Sequence, residues 1–290
     1  MPRAAKSPAR SPATVDPSPA KPKKSPKVAS ATDGKKAVEW TNTDKGALRV
    51  AIDNYVVPIL LMTLTPLWCH TVAYITALKD PTFAGFLAQI NARGTDLVSD
   101  IVAYTMPTSA SVALLLVFNF LALLLYWWPG KTEYGPITVH GVRPDYTDNG
   151  VAHCILFTAS LLAGSELGLG FYELSAISDH YGAIVGTLNL FGLLFCGFLL
   201  VKGLKFPSGP DSGTSGHGFV FDYYWGTELY PRIGGVDVKK FVNCRFSMTF
   251  WMVAGISFTA ASYKRHGELD PGLVLCALSQ FLYLFKFYLW

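Results

Sequence analysis

Six apolar stretches, near 55–78, 109–128, 151–171, 183–201, 246–263 and 271–290, constrain this chain more than any other feature. Each is close to the roughly 20 residues an α-helix needs to cross a bilayer's hydrocarbon core. Backbone in lipid must satisfy its own hydrogen bonds, so successive runs of this length predict an all-α, polytopic transmembrane helical bundle. Composition agrees: 15% of residues are charged and 51% hydrophobic, against roughly 25% charge in an ordinary soluble domain. The fifth stretch carries Ser and Thr but no charge; the sixth holds Lys286 and reaches Trp290 without a polar exit.

Ahead of these stretches, residues 1–48 are rich in Pro, Ser, Ala and Lys, as in Lys21-Pro22-Lys23-Lys24-Ser25-Pro26-Lys27. With few large apolar side chains to bury, this segment is expected to be a disordered basic tail, and 49–290 the membrane domain. No apolar region follows the positive start closely enough for a secretory signal peptide. A plastid transit peptide is disfavoured because Lys outnumbers Arg and no amphipathic period is visible.

The net charge of +4 conceals a division. Residues 1–49 hold 11 Lys/Arg against 4 Asp/Glu, and the rest of the chain 13 against 16. The loop 172–182 has no Lys or Arg, whereas 202–245 has Lys202, Lys205, Arg232, Lys239, Lys240 and Arg245. The positive-inside rule therefore puts the N-terminus and the long loop in the cytosol. Lys264 and Arg265 then fall on the lumenal side, where snorkelling at a helix end would accommodate them.

That loop is the richest segment of the chain, running from Gly213 through Phe221-Asp222-Tyr223-Tyr224-Trp225-Gly226-Thr227-Glu228-Leu229-Tyr230-Pro231-Arg232-Ile233-Gly234 to Asn243-Cys244-Arg245-Phe246. Its glycines match neither a dinucleotide fingerprint nor a P-loop. Tyr223, Tyr224, Trp225 and Tyr230 fit an interfacial anchor at headgroup depth. Asp222, Glu228, Arg232 and Arg245 are either a buried polar network at a ligand pocket or structural pairs, because charges near a bilayer are paired or functional. Glu228 and Arg232 would pair as helical neighbours if the segment were helical.

Elsewhere the chemistry is thinner. Glu166 and Glu173 would share a helical face at a spacing of seven, either as proton donors or solvated at the headgroups. The histidines have no metal-ligand spacing and none of the five cysteines forms a CxxC pair, so neither a metal site nor a disulfide framework is expected. His153 and Asn189 inside spans are expected to make interhelical hydrogen bonds.

The segment Phe221–Gly234 resembles the signature loop of the membrane sterol reductases. Three further segments agree: Gly135-Pro136-Ile137-Thr138 through Gly141-Val142-Arg143-Pro144 to Asn149-Gly150, then Val201-Lys202-Gly203-Leu204 with Pro207-Ser208, then Phe241-Val242-Asn243-Cys244-Arg245-Phe246. Tyr230 before Pro231-Arg232 resembles the branch that reduces the C7–C8 double bond, where the C-14 reductases typically carry Asn.

The resemblance implies NADPH-dependent reduction of a sterol 5,7-diene at the endoplasmic reticulum membrane, with membrane lipid as surroundings. It implies Asp222, Tyr223, Glu228, Arg232 and Arg245 as pocket or signature-loop candidates, with no catalytic residue assigned. Family members continue for several spans past the match to Trp290, and that portion carries most of their NADPH-binding residues. None of those is assignable here, and the chain is expected to be the N-terminal portion of such an enzyme. Two rival readings are a non-catalytic membrane scaffold, with a tail able to bind anionic surfaces, and a transporter, which the lack of internal repeats disfavours. Nucleic acid is not an expected partner.

Overall fold

The structure, a computed structural model, describes residues 46–138, 140–169 and 173–289. Most of the expected basic tail, residues 1–45, lies outside the described residues. The domain division at 48 is therefore an expectation only.

Helices occupy all six apolar stretches. Ala47–Thr76, Ser109–Tyr126, Tyr181–Lys205 and Pro271–Leu289 are long and apolar enough to span a membrane, and Gly150–Glu166 is a shorter apolar helix. The polytopic all-α architecture follows: this is a multi-pass membrane protein. The first helix starts well before residue 55 and contains a π-helical turn, Ile52–Val56, ahead of Val57–Thr76. The fifth starts as Val238–Lys240, passes through a π-helical stretch, Phe241–Met248, and runs on as Thr249–His266. Gly267, with φ of 74°, ends it in the left-handed region open to glycine.

Two helices occupy the interval between the first two apolar stretches, where hydropathy had marked nothing: Phe83–Arg93, capped by the Thr82 side chain accepting from the Gly85 N–H, and Asp96–Thr105. Arg93 forks onto Asp100 at 2.8 and 2.9 Å, tying the two together. They are too short to span, which is why a search for long apolar runs passes over them.

Lipid offers helices little hydrophobic reason to associate, so close packing has to hold the bundle. Phe118 is the hub, 4.5 Å from Phe157, 5.3 Å from Phe250 and 5.8 Å from Phe246 between ring centroids. His153 is fully buried and its Nε2 lies 3.3 Å from the Ala122 carbonyl, the interhelical bond expected of it. The amide Nδ2 of Asn189 is buried without a partner, so that half of the expectation fails.

At one end of the bundle an antiparallel hairpin, Lys131–Tyr134 with Asp145–Asp148, joins two spans. The chain 206–240 lies at the same end, with the short helix Phe219–Trp225 and the strand pair Arg232–Ile233 with Val236–Asp237.

Candidate functional site

The polar end of the bundle is organised by two buried, opposite charges. Lys202, in the last turn of Tyr181–Lys205, is 8% exposed and Glu228 is 2% exposed. Lys202 Nζ donates to Glu228 Oε2 at 2.9 Å, to the Phe206 carbonyl at 2.7 Å and to Ser208 Oγ at 2.6 Å. An ammonium has three N–H donors, and all are used. Glu228 Oε1 accepts the Ser208 N–H at 2.5 Å, and Lys239 Nζ donates to the Glu228 carbonyl at 2.7 Å.

Close approach of helix and loop makes this pair possible. A Cβ on Gly203 would lie 2.5 Å from Thr227 Oγ1 and 2.7 Å from the Glu228 nitrogen, so only glycine lets the loop sit here. Thr227 Oγ1 donates to the Leu200 carbonyl at 2.7 Å and seals the contact.

Arg232 does not pair with Glu228, because residues 228–231 are not helical and the side chains diverge. Arg232 Nη2 reaches Asp145 instead, 2.8 Å from Oδ1 and 2.7 Å from the carbonyl oxygen, which holds the Asp145 carboxyl below the usual range. Ser208 links the two centres, accepting the Arg232 N–H and donating to the Arg232 carbonyl, each at 2.9 Å. Lys240 Nζ lies 4.1 Å above the Tyr146 ring, which also meets Tyr230 edge to face at 6.5 Å. Desolvation pushes the Tyr146 phenol upward. Burial also raises the Asp237 carboxyl and lowers the Lys239 ammonium.

The other candidates serve separate parts of the loop. Buried Asp222 accepts the N–H and hydroxyl of Ser215, folding the glycine-rich stretch onto Phe219–Trp225. Tyr223 donates its hydroxyl to the Leu193 carbonyl at 2.6 Å. Tyr224 and Trp225 share that helix, whereas Tyr230 has left it for Tyr146. Arg245 is buried, donates to Asn149 Oδ1 at 2.7 Å and lies 4.8 Å from the centre of the Tyr288 ring. Among the described residues no carboxylate reaches Arg245, and its Nε has no partner.

A single network of Asp222, Glu228, Arg232 and Arg245 therefore does not form. Reading residues alone missed Lys202, Ser208 and Asp145, though the first two stand in segments that carried the resemblance. It also missed Asp211, which receives His140 Nδ1 at 2.5 Å. Glu166 ends its helix, and Glu173 stands outside any helix with Lys264 Nζ at 2.6 Å, so the two glutamates share no helical face.

An open pocket of about 160 Å³ lies over this cluster, lined by Arg143, Asp145, Asp211, Glu228, Tyr230 and Arg232 among others. It is smaller than the roughly 300–1,000 Å³ of ordinary ligand sites. Its two arginines face three carboxylates, an unfavourable field for a pyrophosphate. These residues therefore do not fit a whole NADPH, and both oxygens of Glu228 are engaged. The pocket can hold a small polar group between guanidinium and carboxylate.

Comparison with known proteins places this arrangement. The family model described as Ergosterol biosynthesis ERG4/ERG24 family matches residues 42–289. The 7-dehydrocholesterol reductase of Arabidopsis thaliana is 36% identical over 172 residues, covering 59% of this chain and 39% of that protein. The Delta(14)-sterol reductase of Methylotuvimicrobium alcaliphilum is 33% identical over 168 residues, 58% of this chain and 38% of that protein. A Danio rerio 7-dehydrocholesterol reductase is 25% identical over 171 residues, 59% and 36% respectively. The match thus spans about two fifths of the length of these relatives. With its described membrane helices and polar loop all inside the matched range, the chain belongs to the Ergosterol biosynthesis ERG4/ERG24 family of sterol reductases.

Proposed function

We propose that this chain forms part of an oxidoreductase that reduces the C7–C8 double bond of a sterol 5,7-diene. Hydride, with NADPH as donor, and a proton add across the alkene. The observation that carries the reading is the family match over 42–289, with 36% identity to a plant 7-dehydrocholesterol reductase. Tyr230 ahead of Pro231-Arg232 favours C7–C8 over the C-14 bond that Delta(14)-sterol reductases are named for. The proposed setting is the endoplasmic reticulum membrane, N-terminus in the cytosol, with the loop 202–245 on the same face. A polar loop there lets a charged cofactor approach from water while an apolar substrate arrives through lipid.

Microsomes carrying the chain extended with the C-terminal half of the plant relative, given a 5,7-diene sterol and NADPH, should lose the conjugated diene in a cofactor-dependent way, followed by mass spectrometry. Reduction of a 14,15-unsaturated sterol in its place would move the assignment to C-14. A complete lack of turnover with folded protein would favour the scaffold reading, which the commitment of Glu228 to Lys202 and Ser208 also supports.

A further inference from the structure

Apart from the Lys202–Glu228 centre, a cavity of about 360 Å³ opens where the first span meets the short helix Phe219–Trp225. The span contributes Asp53, Val57 and Leu61 to its lining, and the short helix Phe221, Tyr224 and Trp225. Its volume falls within the usual range for ligand sites. Gly218 makes the junction possible. Its φ is 98° and a Cβ there would come 2.5 Å from the Tyr55 hydroxyl, so glycine lets the short helix start against the span.

The side given by the short helix is all ring. Tyr224 and Trp225 stand at 84° to one another with centroids 5.4 Å apart, and Phe221 lies 6.2 Å from Trp225. Aromatic faces attract a cation seated on them, and rings set at angles are how quaternary ammonium groups are held. The side given by the span adds the Asp53 carboxylate, whose side chain is 27% exposed. Arg49 Nε meets Asp53 Oδ2 at 3.3 Å from one turn nearer the helix start, and is itself 67% exposed. A quaternary ammonium has no N–H and seeks no acceptor, so it uses only the field of the carboxylate and does not compete with Arg49 for a hydrogen bond. A primary ammonium would have to exchange water for ring carbon at its N–H groups. An interfacial anchor, by contrast, needs exposed rings but neither a concave site nor a carboxylate beside them.

Depth agrees with a lipid headgroup. Ala47–Thr76 has 30 residues, about 45 Å at 1.5 Å per residue, against a hydrocarbon core of about 30 Å. Asp53 stands six residues after Ala47, about 9 Å along the helix, close to the hydrocarbon boundary when the helix is centred. Leu61 lies eight residues further, about 12 Å deeper. Val57 and Leu61 are exposed, so the apolar lining continues down the outside of the span.

We infer that this cavity holds the trimethylammonium group of a phosphatidylcholine from the surrounding leaflet, its methyls against Tyr224 and Trp225, its charge in the field of Asp53, and its acyl chains running past Val57 and Leu61. A lipid is the occupant, and not a soluble choline compound, because the lining below the rings is apolar and leads into the hydrocarbon. The site shares no residue with the Lys202–Glu228 centre and is independent of the reaction the chain serves.

The test reconstitutes the full chain with equal amounts of phosphatidylcholine, phosphatidylethanolamine and phosphatidylglycerol of identical acyl chains, and counts the lipids retained after detergent washing by mass spectrometry of the intact protein. Phosphatidylcholine should be retained about fivefold over phosphatidylethanolamine, with the mono- and dimethylated ethanolamine lipids in between, a comparison that needs no variant. Trp225→Leu, which keeps the apolar contact, and Asp53→Asn should each cut phosphatidylcholine retention about fivefold at equal folded yield, whereas Trp225→Tyr should preserve most of it. Equal retention of the choline and ethanolamine lipids, preference for phosphatidylglycerol, or parental retention in Trp225→Leu would overturn the inference. Displacement of the lipid by an equal concentration of free phosphocholine would place the occupant in water and overturn it as well.

Discussion

Lys202 and Glu228 meet at 2.9 Å from positions 26 residues apart, joining the end of a spanning helix to the signature loop. Both are nearly inaccessible, and every donor of the ammonium is used. Such a pair is worth little compared with an apolar replacement but costs much when half of it is removed.

Glu228→Gln and Lys202→Met should therefore each destabilise the protein by about 3–5 kcal/mol, and the double substitution should recover much of that. Thermal unfolding in detergent across the four proteins measures the coupling. Additive losses would mean the two charges act independently.

Arg232→Met should behave differently. The Arg232–Asp145 pair is partly exposed, 30% and 56% by side chain, so its loss should cost under about 1 kcal/mol. The same unfolding assay should show little coupling between positions 228 and 232. A recovery in Glu228→Gln, Arg232→Met comparable to that with Lys202→Met would contradict the observed partners.

Two glycines of one helix make a paired test. Gly203→Ala puts a methyl into the Thr227–Glu228 backbone and should cost about 1–3 kcal/mol. Gly192→Ala meets nothing within 4 Å and should be neutral or stabilising by up to about 1 kcal/mol. Equal effects on folded yield and melting would show that the helix–loop contact is looser than described.

The pH dependence turns on Asp237. Burial raises its carboxyl in the folded state, so above the unfolded pKa the folded protein binds the extra proton. Its ionisation therefore costs stability as pH rises through the folded value, and the cost is absent at pH below the ordinary aspartate range. Asp237→Asn, which keeps an acceptor for the Lys240 N–H, should melt higher than the parent at neutral pH, the gap closing on acidification. A gap that widens in acid would reverse the sign.

Topology is testable directly. With six Lys/Arg, the loop 202–245 should be cleaved in sealed, cytosol-side-out microsomes, near Lys239 or Lys240. Cleavage that requires detergent would invert the orientation.

The sequence alone determined the class of protein and the positions of its membrane helices, because crossing a bilayer is a local matter of hydropathy summed over about 20 residues. Its loop motifs also pointed to the end of the bundle where the charges gather. Pairing was decided only by tertiary structure: Glu228 takes Lys202 and not nearby Arg232, which reaches back 87 residues to Asp145. Nothing in local spacing encodes these choices, since they depend on Gly203 allowing a loop to touch a helix and on a hairpin folded beneath it. The same holds for the His70–Thr105 contact, whose second partner ends a helix, Asp96–Thr105, too brief and mixed for any hydropathy window to find. Charged and polar partners are chosen by which surfaces desolvate together, and that is settled when the helices pack.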